Sequence, residues 1–187
     1  LYKNAARNLM DRGHQVHILI KSKDILEDIL VSSGLPYRNI LEVAHRKSKF
    51  GILWDMLVRD WKILCYCIKN KIDLFVGGSP CQAFSCNGKQ GGFEDARGTL
   101  FYHYALFLEK LQPKMFLFEN VRGLLTHDRG KTYATMLEIF ANAGYTIVKQ
   151  VLNAWDYGAP QKRERLITIG IRNDLADKTE YIFPKKH

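Results

Sequence analysis

No apolar run in this 187-residue chain approaches the roughly 18 residues that a membrane span needs. No secretory apolar region opens it either, so neither a membrane-embedded nor an exported protein is expected. Its four cysteines, Cys65, Cys67, Cys81 and Cys86, lack the paired spacing of a structural zinc site, and its six histidines are scattered. No metal is therefore expected, and free thiols in a reducing, cytoplasmic setting are. The glycine pattern G-x-G-x-x-G is missing from the first 76 residues, which excludes the usual dinucleotide fingerprint after a first strand. The chain opens on Leu1 rather than Met, as a fragment would.

What is present suits a soluble globular domain: 47% hydrophobic and 25% charged residues, in a length sufficient for one proper core. The net charge of +9 is spread, with 13 basic against 8 acidic residues through Val76 and 15 against 11 after it. Both halves are mildly basic. That fits a nucleic-acid partner without requiring one, since a surface rich in lysine gives the same balance.

The pattern of apolar residues alternates helix and strand. Ala5, Ala6, Leu9 and Met10 recur at helical spacing, and Val16, Ile18 and Ile20 alternate as a strand. Ser22 is a candidate cap for a second helix carrying Ile25, Leu26, Ile29 and Leu30, which Gly34 ends; residues 37–41 read as extended. A basic loop at 45–49 precedes Leu53, Trp54, Leu57, Trp61, Leu64 and Ile68, about five helical turns, and residues 72–76 form an apolar strand. Further on, the pattern predicts a helix from Leu100 to Leu111, a strand at 115–118, a helix through Tyr133, Met136, Leu137 and Phe140, and strands at 146–151 and 166–171. The alternation argues for an α/β fold, Rossmann-like, with a mostly parallel sheet and helices on both faces.

Three places carry candidate chemistry. The strand at 72–76 stops at Gly77-Gly78-Ser79-Pro80, which lifts Cys81 onto a loop where open α/β sheets hold nucleophiles; a buried, inert cysteine in a tight turn is the alternative. The loop 83–98 is rich in Gly, Ser, Asn, Lys and Gln, suited to closing over a substrate or to being an ordinary surface loop. Glu119 stands at the end of an apolar strand, where burial would raise its pKa and let it donate a proton at neutral pH, or where an arginine would pair with it. Arg163 and Arg165, spaced by two, fall on one side of a strand and can converge on one site.

Taken together, Pro80-Cys81-Gln82, Glu119-Asn120-Val121 and Gln161-Lys162-Arg163-Glu164-Arg165, in this order, resemble the DNA cytosine-5 methyltransferases. Gly92-Phe93-Glu94-Asp95-Ala96-Arg97-Gly98-Thr99-Leu100-Phe101 and Val151-Leu152-Asn153-Ala154-Trp155-Asp156-Tyr157-Gly158 support the likeness, which covers residues 72–187. It implies a partial S-adenosylmethionine-dependent methyltransferase fold acting on a flipped-out cytosine in DNA, usually within restriction-modification. It makes Cys81 the thiolate that adds to cytosine C6, Glu119 the group that hydrogen-bonds N3, Arg165 the contact to the base carbonyl that also orients Glu119, and Arg163 its neighbour. Pro80 and Leu100 would lie near S-adenosylmethionine, and Gln82, Ser85, Lys89 and Arg97 would contact DNA.

The first 76 residues are instead similar, at the level of fold, to the amino-terminal domain of GT-B-type glycosyltransferases and sugar-nucleotide epimerases. The expected division is an α/β segment at 1–71 without a cofactor motif and a catalytic region at 72–187 that stops before the target-recognition domain. The Phe-x-Gly-x-Gly loop of the methyltransferases has no match before Gly77. A hybrid or truncated product joined near the strand at 73–76 would account for this, with a second chain as one source of the missing recognition region. A transfer-RNA cytosine-5 methyltransferase and an inactive remnant are the alternative readings.

Overall fold

The computed structural model describes residues 3–21, 25–41, 49–78 and 100–186, in two compact units, Leu1–Tyr66 and Cys67–His187. Ser22 and most of the basic loop at 45–49 fall outside the described residues.

In the amino-terminal unit, α1 (Lys3–Asp11) leads to β1 (Ile18–Lys21), and α2 (Ile25–Ser32) to β2 (Tyr37–Leu41). The strands pair in parallel, Ile18 opposite Tyr37. Ala6 of α1, Ile20 of β1, Leu30 of α2 and Leu35 of the link to β2 form the core, with Val16, Ile18 and Tyr37 packed against it. The long helix α3 (Lys49–Lys69) forms where the sequence places it, yet Trp54, Leu57 and Trp61 on one side of it are 60%, 51% and 67% exposed.

The carboxyl-terminal unit is built on a four-stranded sheet. Its strands are β3 (Leu74–Gly77), β4 (Met115–Val121), β5 (Tyr145–Asn153) and β6 (Glu164–Arg172), in the order β3-β4-β6-β5. β3 and β4 are parallel, joined through α4 (Leu100–Leu111), while β6 runs antiparallel to both β4 and β5. The α/β class stands, but the sheet is mixed rather than mostly parallel. Only residues 154–163 separate β5 from β6, and they form a turn without a crossover helix, too short a link to return the chain for parallel pairing. A short α6 (Asn173–Ala176) follows.

β4 alternates between its two faces. Phe116, Phe118 and Asn120 are buried, and Met115, Leu117, Glu119 and Val121 are half-buried. Phe116 and Phe118 meet α4 and α5 (Lys131–Asn142), which offer Phe101, Tyr104 and Leu108 and Tyr133, Met136 and Phe140 at helical spacing. Phe116 and Phe140 stack with centroids 4.7 Å apart, and Tyr145 meets Phe116 edge-on at 5.1 Å. Each such ring buried contributes roughly 2–3 kcal/mol.

Tyr145 is buried and donates its hydroxyl to the Pro113 carbonyl at 2.9 Å. Burial pushes its phenol up to about 12, partly offset by the charge of Arg172. The neutral phenol is the form the fold favours, so its contribution is complete below the ordinary value of 10 and is lost as pH rises to 12. Urea unfolding is expected to show stability falling between pH 10 and 12 by up to about 1.4 kcal/mol per pH unit. Tyr145→Phe should flatten that fall, though not remove it, because burial raises Tyr133 as well. An equally steep fall in the variant would remove Tyr145 as its source.

Candidate active site

β3 ends at Gly77, opposite Phe118 of the parallel β4, which runs on to Val121. The next residue, Gly78, lies against the backbone of Glu119. A Cβ there would sit 2.3 Å from the Glu119 carbonyl oxygen, closer than a side-chain carbon comes to backbone, so glycine alone lets the chain leave β3 this near to β4.

Glu119 belongs to the face of β4 away from the aromatic core. In the antiparallel ladder Glu119 opposes Ile167 and Val121 opposes Arg165, so Arg165 is the diagonal neighbour of Glu119 on that same face. Arg165 Nε donates to Glu119 Oε1 at 2.8 Å, and the two side chains keep 23% and 24% of their exposure. Arg165 Nη1 also donates to the Glu164 carbonyl at 2.8 Å. The arginine-paired alternative is therefore the arrangement found. Glu119 is not sealed in the apolar interior, as the apolar run before it suggested, because strand alternation turns it away from Phe118.

Arg163 is fixed through its backbone. Its N–H donates to Asn153 Oδ1 at 3.0 Å, its carbonyl accepts from Ala154 N–H at 3.0 Å, and the same Asn153 oxygen accepts from Trp155 N–H at 3.2 Å. Asn153 thus ties the turn after β5 to the start of β6. Arg122, just past β4, places Nη1 2.9 Å from both carboxylate oxygens of Glu164. Neither Asn153 nor Arg122 stands out in the sequence, since their partners are set by the antiparallel register.

Cys81, Pro80, Gln82, Ser85, Lys89 and Arg97 lie outside the described residues. Leu100 opens α4. Of the described thiols, Cys65 is exposed and Cys67 is buried in α3, where desolvation pushes its pKa up and leaves it a poor nucleophile. Among the described residues no His, Cys, Asp and Glu cluster could hold a metal ion, and no helix is long and apolar enough to cross a membrane.

The paired Glu119 and Arg165 at strand ends sit within a longer match. The family model of the C-5 cytosine-specific DNA methylases covers residues 55–187, well over half of the chain. The chain belongs to this DNA methylase family. The match begins inside α3, earlier than residue 72, where the sequence resemblance starts.

The chain is 53% identical over 116 residues to the type II methyltransferase M.Sau96I of Staphylococcus aureus, a stretch that is 62% of this chain and 27% of that protein. It is 51% identical over 120 residues to the type II methyltransferase M.Eco47II of Escherichia coli, 64% of this chain and 29% of the relative. The matched stretch is thus less than a third of the length of either relative. A solved structure described as a DNA modification methyltransferase encoded within an E. coli prophage is 25% identical with a TM-score of 0.57, and the likeness covers 87% of this chain and 41% of that one. That share exceeds the carboxyl-terminal unit, so the methyltransferase fold likeness takes in part of the amino-terminal unit too.

Among the described residues no complete site for S-adenosylmethionine is formed. β1 ends at Lys21 and α2 begins at Ile25, and the link between them, Ser22-Lys23-Asp24, has no glycine to let backbone amides close on a ligand.

Proposed function

We propose that this chain carries the cytosine-handling part of a DNA (cytosine-5-)-methyltransferase. The observation that carries the reading is the Arg165–Glu119 pair beside Gly78, three residues ahead of Cys81. Three residues span at most about 10 Å, so Cys81 is tethered by a short stretch to the strand end that meets Glu119.

Cytosine C5 is a weak nucleophile. In the proposed reaction the Cys81 thiolate forms a bond to C6, and the ring electrons move to C5 and toward N3. Glu119 meets N3: Arg165 takes Oε1, so Oε2 is the oxygen presented to the base, and a proton there is donated as charge builds on the ring. Arg165 contacts the base carbonyl and holds Glu119 in place, with Arg163 beside it. The base must leave the duplex to reach these groups, and Gln82, Ser85, Lys89 and Arg97 are the proposed DNA contacts around it. S-adenosylmethionine is the methyl donor this family implies, with Pro80 and Leu100 the residues of this chain beside it; a second chain or a further stretch of the same protein would supply the rest of its site. Restriction-modification is the proposed setting, by analogy with the type II relatives.

The C6 adduct can be read without a methyl donor. Once the thiolate has added, C5 takes a proton from solvent, and loss of the original C5 hydrogen with expulsion of the thiolate restores a cytosine with an exchanged hydrogen. The chain is expected to release tritium from the C5 position of cytosine in duplex DNA above the rate without protein. Glu119→Gln should slow that release about a hundredfold, the lower range for a positioned acid. Bound DNA with no release would sink the catalytic reading and favour an inactive DNA-binding remnant.

A further inference from the structure

Within the amino-terminal unit, the segments leading into β1 and β2 and the Tyr66 turn of α3 line an open groove of about 470 Å³. That volume is within the range of small-ligand pockets. The polar side chains on its wall are His14, Gln15, His17, Tyr37, Arg38 and Tyr66, and among the described residues no carboxylate lines it. Tyr37 is already engaged, donating its hydroxyl to Glu27 Oε1 at 3.0 Å.

The other groups can present donors to the groove. His17 Nδ1 lies 2.8 Å from the Tyr66 hydroxyl. With Tyr66 donating, Nε2 carries the ring proton and becomes a donor. The Arg38 guanidinium lies over the Tyr66 ring, 4.9 Å from its centroid, a contact that fixes the side chain without using its N–H groups. Among the described residues Arg38 forms no ion pair. One aromatic side chain thus holds both a guanidinium and an imidazole at the same groove.

Donors and positive charge without a carboxylate select an anion, and the fork of a guanidinium matches phosphate oxygens two at a time. We propose that the amino-terminal unit holds a phosphate-binding site in which Arg38, His17 and His14 contact the phosphate of a phosphorylated small molecule or of a nucleic-acid backbone, with Tyr66 positioning the first two. This site is separate from the proposed cytosine chemistry and does not depend on it.

The whole chain titrated with inorganic phosphate at constant ionic strength, followed by calorimetry and by the histidine ring signals, is expected to show saturable binding. Arg38→Gln should weaken it at least tenfold, the size of one lost charge-assisted contact. Arg38 is exposed, so the variant should keep its far-ultraviolet circular dichroism. Tyr66→Phe, which keeps the ring under Arg38 and removes the hydroxyl, should weaken it less, and Lys178→Gln, in the other unit, should leave it unchanged. Addition of a short DNA duplex then separates the sources: displacement of the phosphate assigns the site to a nucleic-acid backbone, and retention assigns it to a small phosphorylated ligand. Absence of saturable binding, or equal loss in Arg38→Gln and Lys178→Gln, would overturn the proposal.

Discussion

Cys81→Ala is expected to bring release of the C5 hydrogen of cytosine down to the rate without protein, a loss on the order of a thousandfold or more, while DNA binding is kept. The size follows from what the side chain would do. Without a bond at C6 there is no anionic C5, and Glu119 and Arg165 then hold an unactivated ring. Of the two described thiols, Cys67 is a poor substitute, since it is 3% exposed and its thiol is pushed up by burial. Cys65→Ala is the matching control, because Cys65 is exposed, lies in the other unit, and should leave the rate unchanged. Exchange in Cys81→Ala within tenfold of the parent would assign the chemistry to another residue.

Gly170→Ala is expected to destabilise the carboxyl-terminal unit by about 3 kcal/mol, the upper range for overpacking a core. The added carbon would lie 2.0, 2.5 and 2.6 Å from three atoms of the Phe116 ring. Phe116 opposes Gly170 across the β4–β6 ladder and is fully buried, so its ring occupies the volume the glycine leaves. It has little room to yield, with Phe140, Tyr145 and Tyr104 at 4.7, 5.1 and 6.1 Å between centroids. The urea midpoint of the single variant tests this, and Phe116→Leu in the Gly170→Ala background should recover part of the loss. A cost under about 1 kcal/mol would mean that the aromatic cluster repacks.

Much of this unit was legible before its structure. Tyr133, Met136 and Phe140 recur at helical spacing and do face the core, and in the amino-terminal unit the extended reading of residues 37–41 matches β2. β4 runs three residues further than its apolar stretch, to Val121, because its ladder with β6 continues through Glu119 and Asn120. A buried polar residue survives there because Asn120 Oδ1 accepts from Val121 N–H at 2.8 Å. The direction of β6 was not legible: a helix–strand alternation implies parallel neighbours, and the short link at 154–163 breaks the rule. Everything that depends on that direction was hidden with it, including the diagonal placement of Arg165 and the Arg122–Glu164 pair. The exposed Trp54, Leu57 and Trp61 show the converse, since helical spacing gives a helix but does not say what covers it.

The diagonal relation of Glu119 and Arg165 bears on which changes in length this family can inherit. Residues inserted or deleted in the 154–163 link alter a surface turn and leave the ladder in step. A single residue lost inside β6, between Arg165 and Thr168, would reverse every side chain before it, sending the guanidinium to the face of Phe118 and bringing the Glu164 carboxylate into its place beside Glu119. The Glu119–Arg165 pair is thereby insulated from indels on one side of Glu164 and intolerant of them on the other.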